Sequence, residues 1–243
     1  MRDELLRILA SGHARQGFEL LDATGLLEKI LPENAAMKGV EQPPEYHPEG
    51  DVWIHTLLML EALPGDCSPT LALGVLLHDV GKPPTFRVAP DRIRFDNHVP
   101  IGMRMAEAIC RRLRLSQEET AHVVALVEHH LQFRDAPRMR ASTLKRFLRL
   151  PKFEEHLALH RLDCLSSHRN LEHYEWVRAK LAELTEEQIR PPRLLTGYDL
   201  IQMGHQPGPR FTEILQAVED AQLEREINSR EEALKFVQEH FPS

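Results

Sequence analysis

The residue pattern predicts an all-α fold. Apolar residues recur at three- and four-residue intervals through almost the whole chain. Helix start and stop residues fall where those stretches begin and end. Only one short segment, residues 84–96, alternates like a pair of strands. With 243 residues, 42% of them hydrophobic, the chain can bury a sizeable core.

Leu5, Leu6, Ile8 and Leu9 fit a short amphipathic helix, and Phe18, Leu20 and Leu21 a second that stops near Gly25. Leu26, Leu27, Ile30 and Leu31 fit a third, ended by Pro32. Residues 33–50 hold Pro43, Pro44, Pro48 and Gly50 and read as a loop. Asp51 is placed to cap a helix running to Pro64. Ser68 and Pro69 supply a cap and a first-turn proline for the apolar run Leu71 to Val80, which Gly81 and Pro83 close. Phe86 and Val88 face Ile93 and Phe95 across Pro90-Asp91, the hairpin. Asn97 is expected to cap a helix to about Leu113. Ser116 with Glu119 forms a capping box for a helix reaching about Leu131. Further helices are expected over 142–149, 151–168 and 172–184. After the break at Arg190-Pro191-Pro192, the pattern gives two helices, 208–226 and 229–241, the second opened by a Ser229/Glu232 box. This reads as a core unit, 1–189, and an attached tail, 190–243.

A formal net charge of -7 argues against a wholly basic nucleic-acid-binding surface, while leaving room for a local RNA-binding patch. Cys67, Cys110 and Cys164 form no CxxC pair or disulfide framework, which suits a reducing cytoplasm. The N-terminus lacks the apolar core of a signal peptide, and no apolar run is as long as a membrane span, so no membrane partner is expected.

Fourteen histidines are the compositional oddity. The apolar run Val75-Leu76-Leu77 leads directly into His78-Asp79, on a helix that reads as buried on most sides. A buried His-Asp pair needs partners, because an uncompensated buried charge is costly. A divalent cation would accept both groups; a self-satisfied helix terminus is the alternative. His55 lies in the preceding helix, His98 opens the next one, His129 and His130 end the one after, and Asp163 sits among Leu157, Leu159, Leu162 and Leu165. Five successive helices thus carry ligand-type residues, as helical bundles with interior metal sites do.

The order His55, His78-Asp79, Asp163 resembles the H…HD…D pattern of the HD phosphohydrolase superfamily. More specifically, His47-Pro48-Glu49-Gly50-Asp51…His55-Thr56, Leu77 to Pro83 and Asn97 to Gly102 are similar to the HD-containing C-terminal half of bacterial tRNA nucleotidyltransferases and poly(A) polymerases. Glu4 to Glu33 resembles the neck of those enzymes, and Leu195 to Ile201 with Pro207-Gly208-Pro209 resembles their tail. The resemblance implies an HD-domain helical bundle with neck helices in 1–189 and a helical tail in 190–243. Ahead of residue 34 there is neither a Gly-rich nucleotide loop nor paired aspartates, so the chain is expected not to add nucleotides by itself.

The resemblance further implies a first metal on His55, His78, Asp79 and Asp163. In a second site, Asp79 would bridge, with His98 and one or both of His129 and His130. Adjacent helical residues point about 100° apart, which favours one of that pair without saying which. Nitrogen-rich ligation favours Mn, Fe, Co, Ni or Zn and still admits Mg, one or two ions per chain. The implied function is metal-dependent hydrolysis of a nucleotide phosphoester, such as a 2′,3′-cyclic nucleotide or a 2′- or 3′-nucleotide. Catalytic roles fall to Asp79, His98 and Lys82, with Lys82 pairing a phosphate oxygen or else stabilising a helix C-terminus. The alternative function is a tRNA-binding module, or the partner of a separate nucleotidyltransferase head, without hydrolase activity.

Two other features compete. His156, His160 and Asp163 share a helical face and could form a separate zinc site; the preferred reading leaves the two histidines partly exposed. The basic runs Arg111, Arg112, Arg114 and Arg138, Arg140, Lys145, Arg146, Arg149 read as solvated faces or as contacts to RNA phosphates. The sequence sets no oligomeric state.

Overall fold

The computed structural model describes residues 1–242. Among them lie fifteen α-helices and one two-stranded sheet, the helical bundle that the periodicity predicts. The helices are α1 (Arg2–Leu9), α2 (Ala14–Ala23), α3 (Leu26–Ile30), α4 (Pro32–Ala35), α5 (Val52–Glu61), α6 (Pro69–Leu77), α7 (His98–Arg112) and α8 (Gln117–His129). They continue as α9 (Ala141–Leu148), α10 (Phe153–Ser166), α11 (Glu172–Glu183), α12 (Glu186–Ile189), α13 (Gly197–Gln202), α14 (Pro209–Leu223) and α15 (Arg230–His240). Strands β1 (Phe86–Val88) and β2 (Ile93–Phe95) pair antiparallel, with Phe86 opposite Phe95 and Val88 opposite Ile93. No helix is long and apolar enough to cross a membrane among the described residues.

Local chemistry sets most helix starts. Asp51 Oδ1 accepts the Ile54 N–H at 2.8 Å, and Ser68 Oγ accepts that of Leu71 at 3.1 Å. Ser116/Glu119 and Ser229/Glu232 close reciprocal boxes at α8 and α15. Asn97 departs from expectation. It makes no side-chain cap and instead adopts a left-handed conformation, φ 63°, which asparagine tolerates better than most residues. Pro32 both ends α3 and opens α4 inside the expected loop. There the buried Asn34 donates to the Leu76 carbonyl at 2.8 Å, one of the four left unpaired where α6 ends. The short helices α12 and α13 also lie where the sequence pattern gave none.

Contacts divide the chain into two compact units. The first comprises Met1–Arg134 with Glu154–Glu175, and the second Asp135–Phe153 with the chain from Trp176 onward. The second unit therefore includes α9 and most of α11 as well as the residues after 189. In the first unit, α1, α2, α5, α6, α7, α8 and part of α10 share one core. Every residue of α6 from Thr70 to Leu77 is buried, so this helix is the unit's central element. The second unit has its own core of Leu195, Leu200, Ile214, Val218, Ala221, Ile227, Ala233 and Val237.

Asp199 is the polar pivot of that second core. One carboxylate oxygen accepts the Thr196 N–H and hydroxyl, each at 2.7 Å, and the other meets the Arg230 guanidinium at the start of α15. The Thr196 hydrogen bonds and Arg230 lower its pKa from 3.8 to about 2. A depressed carboxylate stabilises the fold above its unfolded value and loses that contribution as pH falls through the folded one. Asp199→Asn is therefore expected to cost about 1–3 kcal/mol at neutral pH. In thermal melts the gap to the parent protein should narrow as pH falls below 3.8 towards about 2. A gap that stays constant over that range would contradict the assignment.

Candidate metal centre

The first unit gathers five imidazoles into a row. Ring centroids lie 5.0 Å apart for His47–His55, 5.4 Å for His55–His78, 5.5 Å for His78–His130 and 5.8 Å for His130–His98. Glu49, Asp163 and Asp79 lie between them. His55 Nε2 is 3.2 Å from Asp163, His78 Nε2 is 3.1 Å from Asp79, and His130 Nε2 is 3.8 Å from the other Asp79 oxygen.

One backbone device orients three of the rings. His78 and His130 each follow the last residue of a helix, where carbonyls lack partners. His78 Nδ1 is 2.9 Å from the Val75 carbonyl and His130 Nδ1 is 2.7 Å from that of Val127. His98 repeats the three-residue step to the Phe95 carbonyl at 2.9 Å. A carbonyl only accepts, so each Nδ1 carries a proton, and in the neutral tautomer Nε2 is the atom left to act as a ligand. Among the described residues, the Nε2 atoms of His55, His78, His98 and His130, and His55 Nδ1, are buried without a well-aligned hydrogen-bond partner, although carboxylate oxygens lie close to both nitrogens of His55 and to His78 Nε2. Buried acceptors left unpaired are costly, and converging imidazole nitrogens beside carboxylates are the donor set of a divalent transition metal. Two ligand groups result: His55, His78 and Asp163, and Asp79, His98 and His130. In each, one donor atom per residue lies within 4.8 Å of the others.

Charge balance fits the same picture. Burial raises the cost of ionising Asp79, but the adjacent His78 and Lys82 hold its carboxyl well below the usual range. Asp163 is likewise depressed despite burial, through its contact with His55. His55 resists burial and rises to about 9, because Asp163 and Glu49 flank it. Burial dominates at His130, pushed down to about 4, and lowers His98 as well. Lys82 Nζ contacts Asp79 Oδ2 and Gln42 Oε1, both at 2.7 Å, and lies over the Phe95 ring.

Residues 98–237 match the family model described as "tRNA nucleotidyltransferase domain 2 putative", more than half of the chain. This chain belongs to that family. Residues 1–38 match a second model, "Probable RNA and SrmB- binding site of polymerase A". The chain is 34% identical to the A-adding tRNA nucleotidyltransferase of Deinococcus radiodurans, over 98% of this chain and 57% of that protein. It is 33% identical to the CC-adding tRNA nucleotidyltransferase of Thermus thermophilus, over 98% of this chain and 55% of that protein. A stretch covering 60% of the chain is 38% identical to 35% of the multifunctional CCA protein of Alkalilimnicola ehrlichii. The chain thus spans little more than half the length of the first two relatives.

These relatives overturn the expectation of an HD-superfamily phosphohydrolase. Two of them are named as tRNA nucleotidyltransferases, transferases rather than phosphohydrolases, and the chain matches part of each. A histidine-aspartate ligand set specifies where a cation could sit; it does not specify a hydrolytic reaction.

Within this tRNA nucleotidyltransferase domain 2 member, His55, His78, Asp79, His98, His130 and Asp163 come together. His129 turns elsewhere, its ring 5.7 Å from that of His156. His156 and His160, expected to be partly exposed, are buried, because their helix face packs into the unit: His160 stacks on Phe133 at 4.3 Å and His156 lies edge-on to His122. His47, Glu49 and Gln42 were given no role by the sequence reading. The close pairing of His47 and Glu49 just before the capping Asp51 was the available signal; Gln42 offered none. The basic runs are largely neutralised inside their own units. Arg112 forks onto Glu33, Arg111 pairs with Glu107, Arg146 and Arg149 pair with Glu219, and Lys145 donates to the Leu223 carbonyl.

Gly81 fixes the distance between Asp79 and His98. Its φ is not positive, so the turn does not demand glycine. A Cβ there would lie 2.0 Å from the His98 carbonyl oxygen and 2.6 Å from the Gly102 nitrogen, both backbone atoms. Gly81→Ala must push α7 away and is expected to cost about 2–3 kcal/mol. Gly208→Ala, at a site with nothing within 4 Å of a new Cβ, serves as the neutral control. Thermal melts of the two variants check this, and equal melting temperatures would contradict the close-approach account.

Proposed function

We propose that this chain is the tRNA-docking body of a nucleotide-adding enzyme. It holds tRNA while a separately folded nucleotidyltransferase head carries out the addition. The His/Asp cluster holds one or two divalent cations, with Mn, Fe, Co, Ni or Zn favoured by its nitrogen donors, and these brace the body. Free Cys67, Cys110 and Cys164 suit a reducing cytoplasm.

The observation that carries this reading is the alignment of 98% of the chain with proteins named for adding A or CC to tRNA. The match of residues 1–38 to an RNA-binding family model supports it from the N-terminal end. The cluster's ligands come from α5, the end of α6, α7, the end of α8 and α10, so a cation there would tie five elements of one unit together.

Phosphate contacts fall to arginines that no acid already occupies. Arg138 and Arg140 qualify: both are exposed, and among the described residues neither is paired with a carboxylate. The full chain is expected to bind tRNA in gel-shift titrations, with affinity falling steeply between roughly 50 and 200 mM salt as counterions are released. Arg138→Ala/Arg140→Ala should weaken binding and flatten the salt slope by about two. No tRNA binding by the parent chain at the lower salt concentration would overturn the proposal.

A further inference from the structure

His55 is the one inward-facing imidazole that no backbone carbonyl orients. It lies inside α5, where the carbonyls are used by the helix itself, so the device that fixes His78, His98 and His130 does not reach it. Its Nδ1 instead lies 2.7 Å from Glu49 Oε1, and the same oxygen receives His47 Nδ1 at 2.8 Å. The Glu49 side chain is 7% exposed, and its second oxygen is buried with no hydrogen-bond partner.

We propose that Glu49 is a positioning residue for the metal centre: it holds His55 so that Nε2 faces Asp163, and His47 braces Glu49. This rests on the reading of the cluster as a cation site. The chemistry follows from what a carboxylate can do. Ionised, it only accepts, so the Nδ1 atoms of both histidines must carry protons. The lone pair of a metal-ready His55 is then confined to Nε2, the atom aimed at Asp163 and His78. Carboxylates bonded to the far nitrogen of a ligating histidine fix its tautomer and ring orientation and raise its basicity. The loop that carries Glu49 is anchored beside α5: Asp51, two residues on, caps α5 with one oxygen and accepts the Gly39 N–H with the other at 2.7 Å. The same residue thus sets both the start of the helix and the approach of the loop.

His47, Glu49 and His55 also meet the distance criterion for a ligand group of their own. Geometry favours the positioning role, because one Glu49 oxygen lies within 2.8 Å of both His47 Nδ1 and His55 Nδ1, while His55 Nε2 sits on the opposite side, 3.2 Å from Asp163.

The test is Co(II) affinity of the full chain, measured by competition with a chelator and followed by the visible absorption of the bound ion. The variants are Glu49→Ala, Glu49→Gln, His47→Ala and His55→Ala, with circular dichroism to confirm folding. Glu49→Ala should weaken Co(II) roughly 10- to 100-fold, the usual cost of losing such a partner. Glu49→Gln, which keeps an acceptor oxygen and most of the volume, should recover part of the loss even if the alanine variant folds poorly. His47→Ala should cost less than His55→Ala. Parent-like affinity and spectrum in both Glu49 variants would overturn the positioning role and leave the cation site standing. A loss in His47→Ala as deep as in His55→Ala would also overturn it, making His47 a ligand. Absence of Co(II) binding by the parent chain would remove the cation site and this inference together.

Discussion

Four buried imidazole nitrogens that face one another, with carboxylates between them, are the constraint around which the first unit is organised. Polar groups so deeply placed gain nothing from water. The surrounding structure nevertheless forces this arrangement. Three rings are locked by backbone carbonyls three residues behind them, and the fourth by Glu49. Gly81 lets the backbone of α7 approach the end of α6 closely enough for His98 to reach Asp79. With the proposed cation in place, its binding would become part of the folding free energy.

Much of this frame is local and was therefore legible in the sequence. Asp51, Ser68, Ser116 and Ser229 act within three residues of themselves, so their roles could be read without knowing the fold. The uninterrupted apolar run into His78 announced the burial of α6. The histidines at helix ends could be located in the same way. Which of His129 and His130 faces inward could not, because packing against α6 and α7 sets the rotation of α8. The burial of His156 and His160 was hidden for the same reason. Glu49 and His47 lie in a proline-rich loop without periodicity, where pattern reasoning has little to use. Asn97 was misread because a cap and a left-handed turn residue look alike in sequence.

The function was the least legible part. A complete-looking ligand set suggested hydrolysis, since metals in such sites often activate water. Two relatives are named for adding A or CC to tRNA, and the chain aligns with little more than half of each. The two observations are compatible once the cluster is read as a brace. In the proposed tRNA-docking role, the chain would benefit from helices fixed by more than apolar contact. Phosphate contact needs only a local basic patch, and the pairing of Arg111, Arg112, Arg146 and Arg149 with glutamates narrows that patch to the few arginines left over.

The most direct test of this account is an anomalous difference map from crystals grown with Co(II), recorded at the cobalt edge. A peak within about 2.0–2.2 Å of His Nε2 atoms in the His55/His78/Asp163 group, the Asp79/His98/His130 group or both is the expected result. A crystal grown in excess Co(II) with no peak in either group, its histidine nitrogens bonded to water or to neighbouring side chains, would contradict it.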